Sequence, residues 1–228
     1  MHFRRIFFFY RHLLPANALC FDVGANIGNK SEAMLETGAQ VVAFEPNPLV
    51  LPELKARCRH FRNWTLVETA LGEKAAIETL YARECHLQSS LTRAWEGKIV
   101  HGYPVPVVTL DAAIDTFGCP DYCKIDVEGW EFPVLKGLTR PIPLISFEFH
   151  LEEGNVAATL RCLEYLRHLG PATVNVSAAE SPTFIFKTWH PLDGFGDHFP
   201  ENVKDLITDH SYGDIYVRFC QPFPDSGR

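Results

Sequence analysis

The apolar run Ala18-Leu19-Cys20-Phe21-Asp22-Val23 stops at Gly24 and passes through Ala25-Asn26-Ile27-Gly28 into a helical pattern over residues 30–37. A buried strand that feeds a glycine turn and then a helix is half of a βαβ unit, and it commits the chain to a parallel sheet. Glycines at the turn let the backbone bend tightly and bring a ligand to the helix N-terminus. A second strand at Val41 to Phe44, a helix at Pro48 to Phe61 and a third strand at Thr65 to Thr69 continue the pattern. The turn is not a full dinucleotide fingerprint, because Ser31 stands three positions beyond Gly28 where a glycine or alanine is expected. Glu45 ends the second strand, placed to accept hydrogen bonds from both ribose hydroxyls. Asp22 puts a negative charge where a pyrophosphate would lie, which repels phosphate and attracts an amino group or a sulfonium. A nucleoside cofactor fits this pattern better than a dinucleotide, and the alternative is a flavodoxin-like turn with a helix-capping aspartate.

The strand–helix rhythm changes over residues 72–109. Ala76 to Tyr81 and Tyr103 to Thr109 read as strands joined by a polar loop containing Ser89-Ser90, and Pro104 and Pro106 place the second at an edge. Asp111 is expected to cap a helix through Ile114 and Phe117. A central strand at Asp121 to Val127, a short helix at Trp130 to Leu138, a strand at Ile142 to Phe149 and a long helix at Glu152 to Leu169 follow. Thr173 to Val176 and Phe184 to Phe186 read as paired strands, and Asp214 to Phe219 as the last one. Residues 1–17 are expected to form an arm or helix. Residues 18–228 are expected to form a single domain, with a variable insert at about 81–102 and a variable loop at about 188–212.

Composition closes off several classes. Twenty-one Lys and Arg against 28 Asp and Glu leave a net charge of −7, which argues against non-specific duplex binding, so no nucleic-acid partner is expected. Seven cysteines make no disulfide framework and fit a reducing, cytoplasmic setting. Cys119 and Cys123 lack a second close pair and are read as buried thiols, not metal ligands. No apolar run is long enough to span a bilayer. Arg4-Arg5 before Phe7-Phe8-Phe9 is broken by Arg11 and His12, so a packed helix is expected there, with weak membrane-surface contact as the alternative.

Further motifs follow in order: Ala43-Phe44-Glu45-Pro46-Asn47-Pro48, Ala70-Leu71-Gly72, Val107-Val108-Thr109-Leu110-Asp111, Lys124-Ile125-Asp126-Val127-Glu128-Gly129, Val134-Leu135-Lys136-Gly137 and Phe147-Glu148-Phe149-His150. With Phe21 to Gly28 at their head, they make the chain resemble the FkbM family of class I S-adenosylmethionine-dependent methyltransferases over roughly residues 18–150. Gly213-Asp214-Ile215-Tyr216 is similar to the family's last strand. The resemblance implies a Rossmann-like, doubly wound, mostly parallel α/β sheet of seven strands with the last antiparallel. It also implies S-adenosylmethionine as cofactor. Asp22, Gly24, Ala25, Asn26 and Gly28 then form the methionine-side loop, Glu45 is the ribose acid, Pro46 and Asn47 wall the sugar, and Ala70 and Leu71 bracket adenine. The usual acid before that last pair is displaced to Glu68, so backbone is expected to meet the adenine amino group. Lys30 replaces a frequent aromatic and either reaches the methionine carboxylate or faces solvent, with solvent expected.

Asp126 and Glu128 are two apart, as are Glu148 and His150, so on strands each pair shares a face at the carboxyl edge where open α/β sheets bind ligands. These four are the candidate catalytic residues, with Asp126 also a candidate cofactor contact. One of the carboxylates or His150 can take a proton from an acceptor. The same set is chemically suited to Mn, Fe or Zn, although no metal is predicted, and Glu128 alternatively caps the next helix. Tyr81, His86, Trp95, His101, Trp189, His190, Phe195, His198, Phe199 and His210 either wall the acceptor or are surface-loop residues. The resemblance suggests O-methylation of a hydroxyl on a sugar, a glycan or lipid-linked acceptor, or a small secondary metabolite. The rivals are a non-catalytic ligand-binding or partner protein and a nicotinamide-dependent oxidoreductase.

Overall fold

The computed structural model describes residues 2–152, 154–179, 181–207 and 211–220. In chain order the elements are α1 (His2–Leu13), β1 (Leu19–Val23), α2 (Asn29–Glu36), β2 (Gln40–Phe44), α3 (Leu51–Cys58), β3 (Trp64–Val67), β4 (Ala70–Leu71), β5 (Ala76–Arg83), β6 (Ile99–Val108) and α4 (Leu110–Phe117). They continue with β7 (Tyr122–Ile125), α5 (Glu131–Lys136), β8 (Leu144–His150), α6 (Val156–Leu169), β9 (Ala172–Ala178), β10 (His190–Pro191), α7 (Glu201–Lys204) and β11 (Tyr212–Phe219).

The main sheet has the order β10-β9-β11-β8-β7-β1-β2-β3. From β3 to β8 every pairing is parallel, and β11 inserts antiparallel between β8 and β9. The seven expected strands are therefore present, and the two-residue β10 adds an eighth. Phe184 to Phe186 is not a strand. Phe184 bridges Ser177 and the Ile185 amide donates to the Val176 carbonyl, but at Phe186 the Asn175 side chain accepts from the amide and donates to the carbonyl, which ends the backbone pairing.

Because strand neighbours alternate faces, the sheet sorts its residues into two layers. Phe21, Val23, Cys123, Ile125, Ile145, Phe147, Ile215 and Val217 face one core. Cys20, Tyr122, Leu144 and Tyr216 face the other, where Met34 of α2 and Ile6 and Tyr10 of α1 cover them. The N-terminal segment is thus a packed helix, with Arg4, Arg5, Phe8, Arg11 and His12 on its exposed side. Asp22, Lys124, Asp126, Glu148, His150 and Asp214 share the parity of this second layer. The chain turns from β1 outward to β2 and β3, then returns to β7 on the other side of β1, which opens a crevice at the carboxyl ends of β1 and β7.

The second sheet has the order β4-β6-β5, so β6 is central rather than at an edge. Its prolines are tolerated because β4 pairs only Val107 and Val108. The Val108 carbonyl accepts from Gly72 on that side, and Pro104 and Pro106 share its parity. Their missing amides therefore face away from β5, beyond the reach of β4. The cap of α4 is Thr109, whose hydroxyl accepts from Ala112 at 3.0 Å. Asp111 instead accepts from the Thr139 amide and hydroxyl. Cys20, Cys58, Cys123 and Cys162 are buried, whereas Cys119, expected inside, is exposed with Cys85 and Cys220. No helix among the described residues is long and apolar enough to cross a membrane.

Candidate active site

Gly24 has φ +81°, and a Cβ there would run into the backbone carbonyl of Asp126. This close approach of the β1 and β7 ends forms the floor of the crevice. Gly24→Ala is expected to lose at least about 2 kcal/mol of stability, from the left-handed strain and the collision together. Urea unfolding measures it, and a variant as stable as wild type would mean the two strand ends part freely. Beyond the turn, the Asn26 and Asn47 amides donate to the two oxygens of Glu45 at 2.7 and 2.8 Å. Burial pushes Glu45 up to about 7, against those two amides, and Asp22 and Asp126 add to the rise.

Asp22 is buried, and its Oδ2 accepts from Ser31 at 2.5 Å. Its Oδ1 has no hydrogen-bond partner among the described residues. Burial raises its pKa while Lys124 and Ser31 pull against the rise. Lys124 stands opposite Asp22 in register and its Nζ lies 2.5 Å from Asp126 Oδ2. Burial alone would depress the ammonium, but Asp126, Asp214 and Asp22 outweigh it and hold its pKa well above the usual lysine value. Burial likewise opposes ionisation of Asp126, and Lys124 overcomes it, so that carboxylate stays below its ordinary range. Lys124 was not among the candidates. Its only signal is a lysine inside the otherwise apolar strand Tyr122 to Ile125.

Glu128 follows β7 with φ +55°, a conformation non-glycine residues rarely hold. Ser90 donates to its carbonyl at 2.6 Å, Thr92 to the Gly129 carbonyl at 3.0 Å, and the Trp95 indole to Glu128 Oε2 at 3.0 Å. The β5–β6 connection therefore clamps this turn and brings Trp95 to the site. Glu128 does not cap α5. Glu131 accepts from the Val127 and Gly129 amides instead. Burial, then Glu148 and Asp126, push Glu128 up to about 9. Burial and Asp126 also hold Glu148 well above the carboxylate range. His150 Nε2 lies 3.1 Å from Glu148 Oε2, its Nδ1 3.6 Å from Glu152, and its ring stacks on Tyr212.

Most of these groups border one cavity of about 810 Å³. It is bounded by Asp22, Gly24, Ala25, Asn26, Glu45, Pro46, Asn47, Ala70, Leu71, Asp126, Glu128, Glu148 and His150. Gly28 does not border it: a Cβ there would meet Leu54 and Cys58, so this glycine lets α2 pack on α3. Lys30, expected in solvent, borders the cavity, as does Thr69, whose Oγ1 has no partner among the described residues. Of the aromatic and histidine residues in the two variable segments, His86, Trp95 and Tyr212 line it, and His86 Nδ1 lies 2.7 Å from Asn26 Oδ1. Phe195 and Phe199 are core residues near Phe149, and Trp189 packs with Phe184 and Arg218. His210 lies outside the described residues. Glu128, Glu148 and His150 each bring a ligand atom within 4.8 Å of the others and are spaced to hold a cation, whereas Asp126 is tied to Lys124.

A glycine turn at the switch point, an acid ending β2 and one antiparallel strand between β8 and β9 define a class I S-adenosylmethionine-dependent methyltransferase fold. A solved structure of that fold, precorrin-6y C5,15-methyltransferase from Geobacter metallireducens, superposes with a TM-score of 0.51 at 14% identity, covering 95% of this chain and 87% of that one. Residues 22–171 match the family described as Methyltransferase FkbM domain, and the chain belongs to that family. It is 27% identical over 131 residues to the hexuronic acid methyltransferase AglP of Haloferax volcanii, covering 56% of this chain and 52% of the relative. The chain thus spans about half the length of the curated relative it matches.

Proposed function

We propose that this chain transfers a methyl group from S-adenosylmethionine to a hydroxyl of a sugar, free or carried on a glycan or lipid. The observation that carries this is a cavity that offers at one end Glu45 and Asp22 Oδ1, which has no hydrogen-bond partner among the described residues, and at the other Trp95 beside carboxyl groups. The similarity to a relative named for a hexuronic acid supports a sugar. Bound S-adenosylmethionine supplies an electrophilic methyl carbon, and the protein's share is to align the acceptor oxygen with it and exclude water. Glu45 takes the ribose hydroxyls on the lone pairs that Asn26 and Asn47 leave free. Asp22 Oδ1 takes the amino group of the methionine part, and Ala70 and Leu71 flank adenine with Thr69 Oγ1 at hand for its amino hydrogen. Gly24 gives the ligand a close backbone floor. Of the four candidate bases, Glu128 is pushed up to about 9, Glu148 is held well above the carboxylate range, and Asp126 is engaged by Lys124. His150 is the group that accepts the hydroxyl proton, with Glu148 and Glu152 beside the resulting imidazolium.

Glu45→Ala tests the cofactor half. Losing the hydrogen bonds to a charged acceptor is expected to weaken S-adenosylhomocysteine binding about 10–100-fold. Since Glu45 must be ionised to accept both ribose hydroxyls and titrates at about 7, wild-type affinity falls as pH drops below that value. The variant loses this slope. Calorimetry between pH 5.5 and 8.5 measures both, and an alanine variant with wild-type affinity would remove Glu45 from the site.

A further inference from the structure

The acceptor end of the cavity gathers more carboxyl groups than methyl transfer requires. Glu128, Glu148 and Glu152 border it. The cations that border the same cavity are used or placed elsewhere. Lys124 is paired with Asp126, and Arg57 bonds the Ile27 carbonyl and Glu32. Lys30 borders the cavity beside the glycine loop, and its charge acts on Asp22 and Asp126. Glu128, Glu148 and Glu152 thus gather at the acceptor end, while Lys124 is held first by Asp126.

Trp95 provides the flat wall. Its ring covers Gly129 so closely that a Cβ on that glycine would collide with it, and it meets His150 edge-to-face at 5.0 Å. An aromatic face beside carboxyl groups suits a pyranose, whose C–H face stacks while its polar hydrogens are donated sideways.

We propose that the acceptor end selects a pyranose carrying an ammonium group, with the ring on Trp95 and the ammonium between Glu128 and Glu148, and that it rejects a uronate. This rests on the sugar reading above. One ammonium nitrogen donating at about 2.8 Å to two oxygens holds them about 4.6 Å apart. The ligand atoms of Glu128, Glu148 and His150 already lie within 4.8 Å of one another. An ammonium can donate to both carboxyl groups at once and carries a full positive charge between them, which a neutral hydroxyl cannot match. A uronate instead brings a negative charge to a half-buried cluster of carboxyl groups.

Ligand-observed saturation-transfer NMR on the full chain, saturated with S-adenosylhomocysteine at pH 7.5 in EDTA, tests this with methyl glucosaminide, methyl glucoside and methyl glucuronide. The glucosaminide is expected to bind at least about tenfold more tightly than the glucuronide, with the glucoside between them. Glu128→Gln, which keeps the shape of the side chain, is expected to weaken the glucosaminide and spare the glucoside. Trp95→Ala is expected to abolish binding of all three while S-adenosylhomocysteine still binds. Equal or tighter glucuronide binding, in EDTA or only after Mn²⁺ is added, overturns the charge selection and leaves the sugar reading standing; the Mn²⁺ case makes Glu128, Glu148 and His150 metal ligands. Absence of binding by all three glycosides to protein that holds S-adenosylhomocysteine overturns the sugar reading and this inference with it.

Discussion

Lys124→Met is expected to destabilise the protein by about 3–5 kcal/mol, the cost of removing one partner of a buried ion pair and leaving the other uncompensated. The lysine is 3% exposed and holds together a sheet face on which Asp22, Asp126 and Asp214 all converge. The sign of the pH effect separates this account from simple loss of packing. In the wild type, Asp126 has a depressed pKa, so its stabilising contribution is present above the unfolded value near 4 and is lost only as pH falls further. Without Lys124, burial raises Asp126 above its unfolded value, so the variant is best off at low pH and loses stability as pH rises through the new pKa. The gap between the two proteins therefore widens from pH 5 to pH 8. Urea unfolding at both values measures it, and a gap that does not change with pH would mean the lysine acts only as a filler of space.

His150→Gln is expected to lower kcat about 100-fold or more, the usual scale for removal of a positioned base, and to leave S-adenosylhomocysteine affinity unchanged. Glutamine keeps a polar group beside Glu148 but cannot carry the proton away. Single-turnover transfer of labelled methyl to a bound glycoside measures the first effect, and calorimetry with S-adenosylhomocysteine measures the second. An unchanged kcat would mean that the acceptor is deprotonated by another group or that proton loss follows methyl transfer.

Much of the fold was legible because each central strand is a short apolar run bounded by a turn. The carboxyl ends of such strands fix where Asp22, Glu45, Asp126, Glu128 and Glu148 must come together. Other features depended on contacts that chain order hides. Lys124 reads as an interruption of an apolar strand until Asp214, ninety positions later, is brought beside it by the antiparallel β11. Trp95 belongs to a polar insert, and only the missing side chain of Gly129 lets it lie flat against the site. Gly28 looks like part of the ligand loop, yet its missing Cβ makes room for Leu54 and Cys58. Phe195 and Phe199 lie in a stretch rich in glycine, proline and aspartate, which conceals that they complete the core over Phe149.

The central claim is that the crevice at the carboxyl ends of β1 and β7 holds the nucleoside of S-adenosylmethionine. Isothermal calorimetry of the folded protein in EDTA, with S-adenosylhomocysteine and separately with NADH, tests it most directly. One site of micromolar affinity for S-adenosylhomocysteine and no heat from NADH are expected, because Asp22 and the single-turn glycine loop give a pyrophosphate no favourable place. Binding of NADH in place of S-adenosylhomocysteine, or of neither, would contradict it.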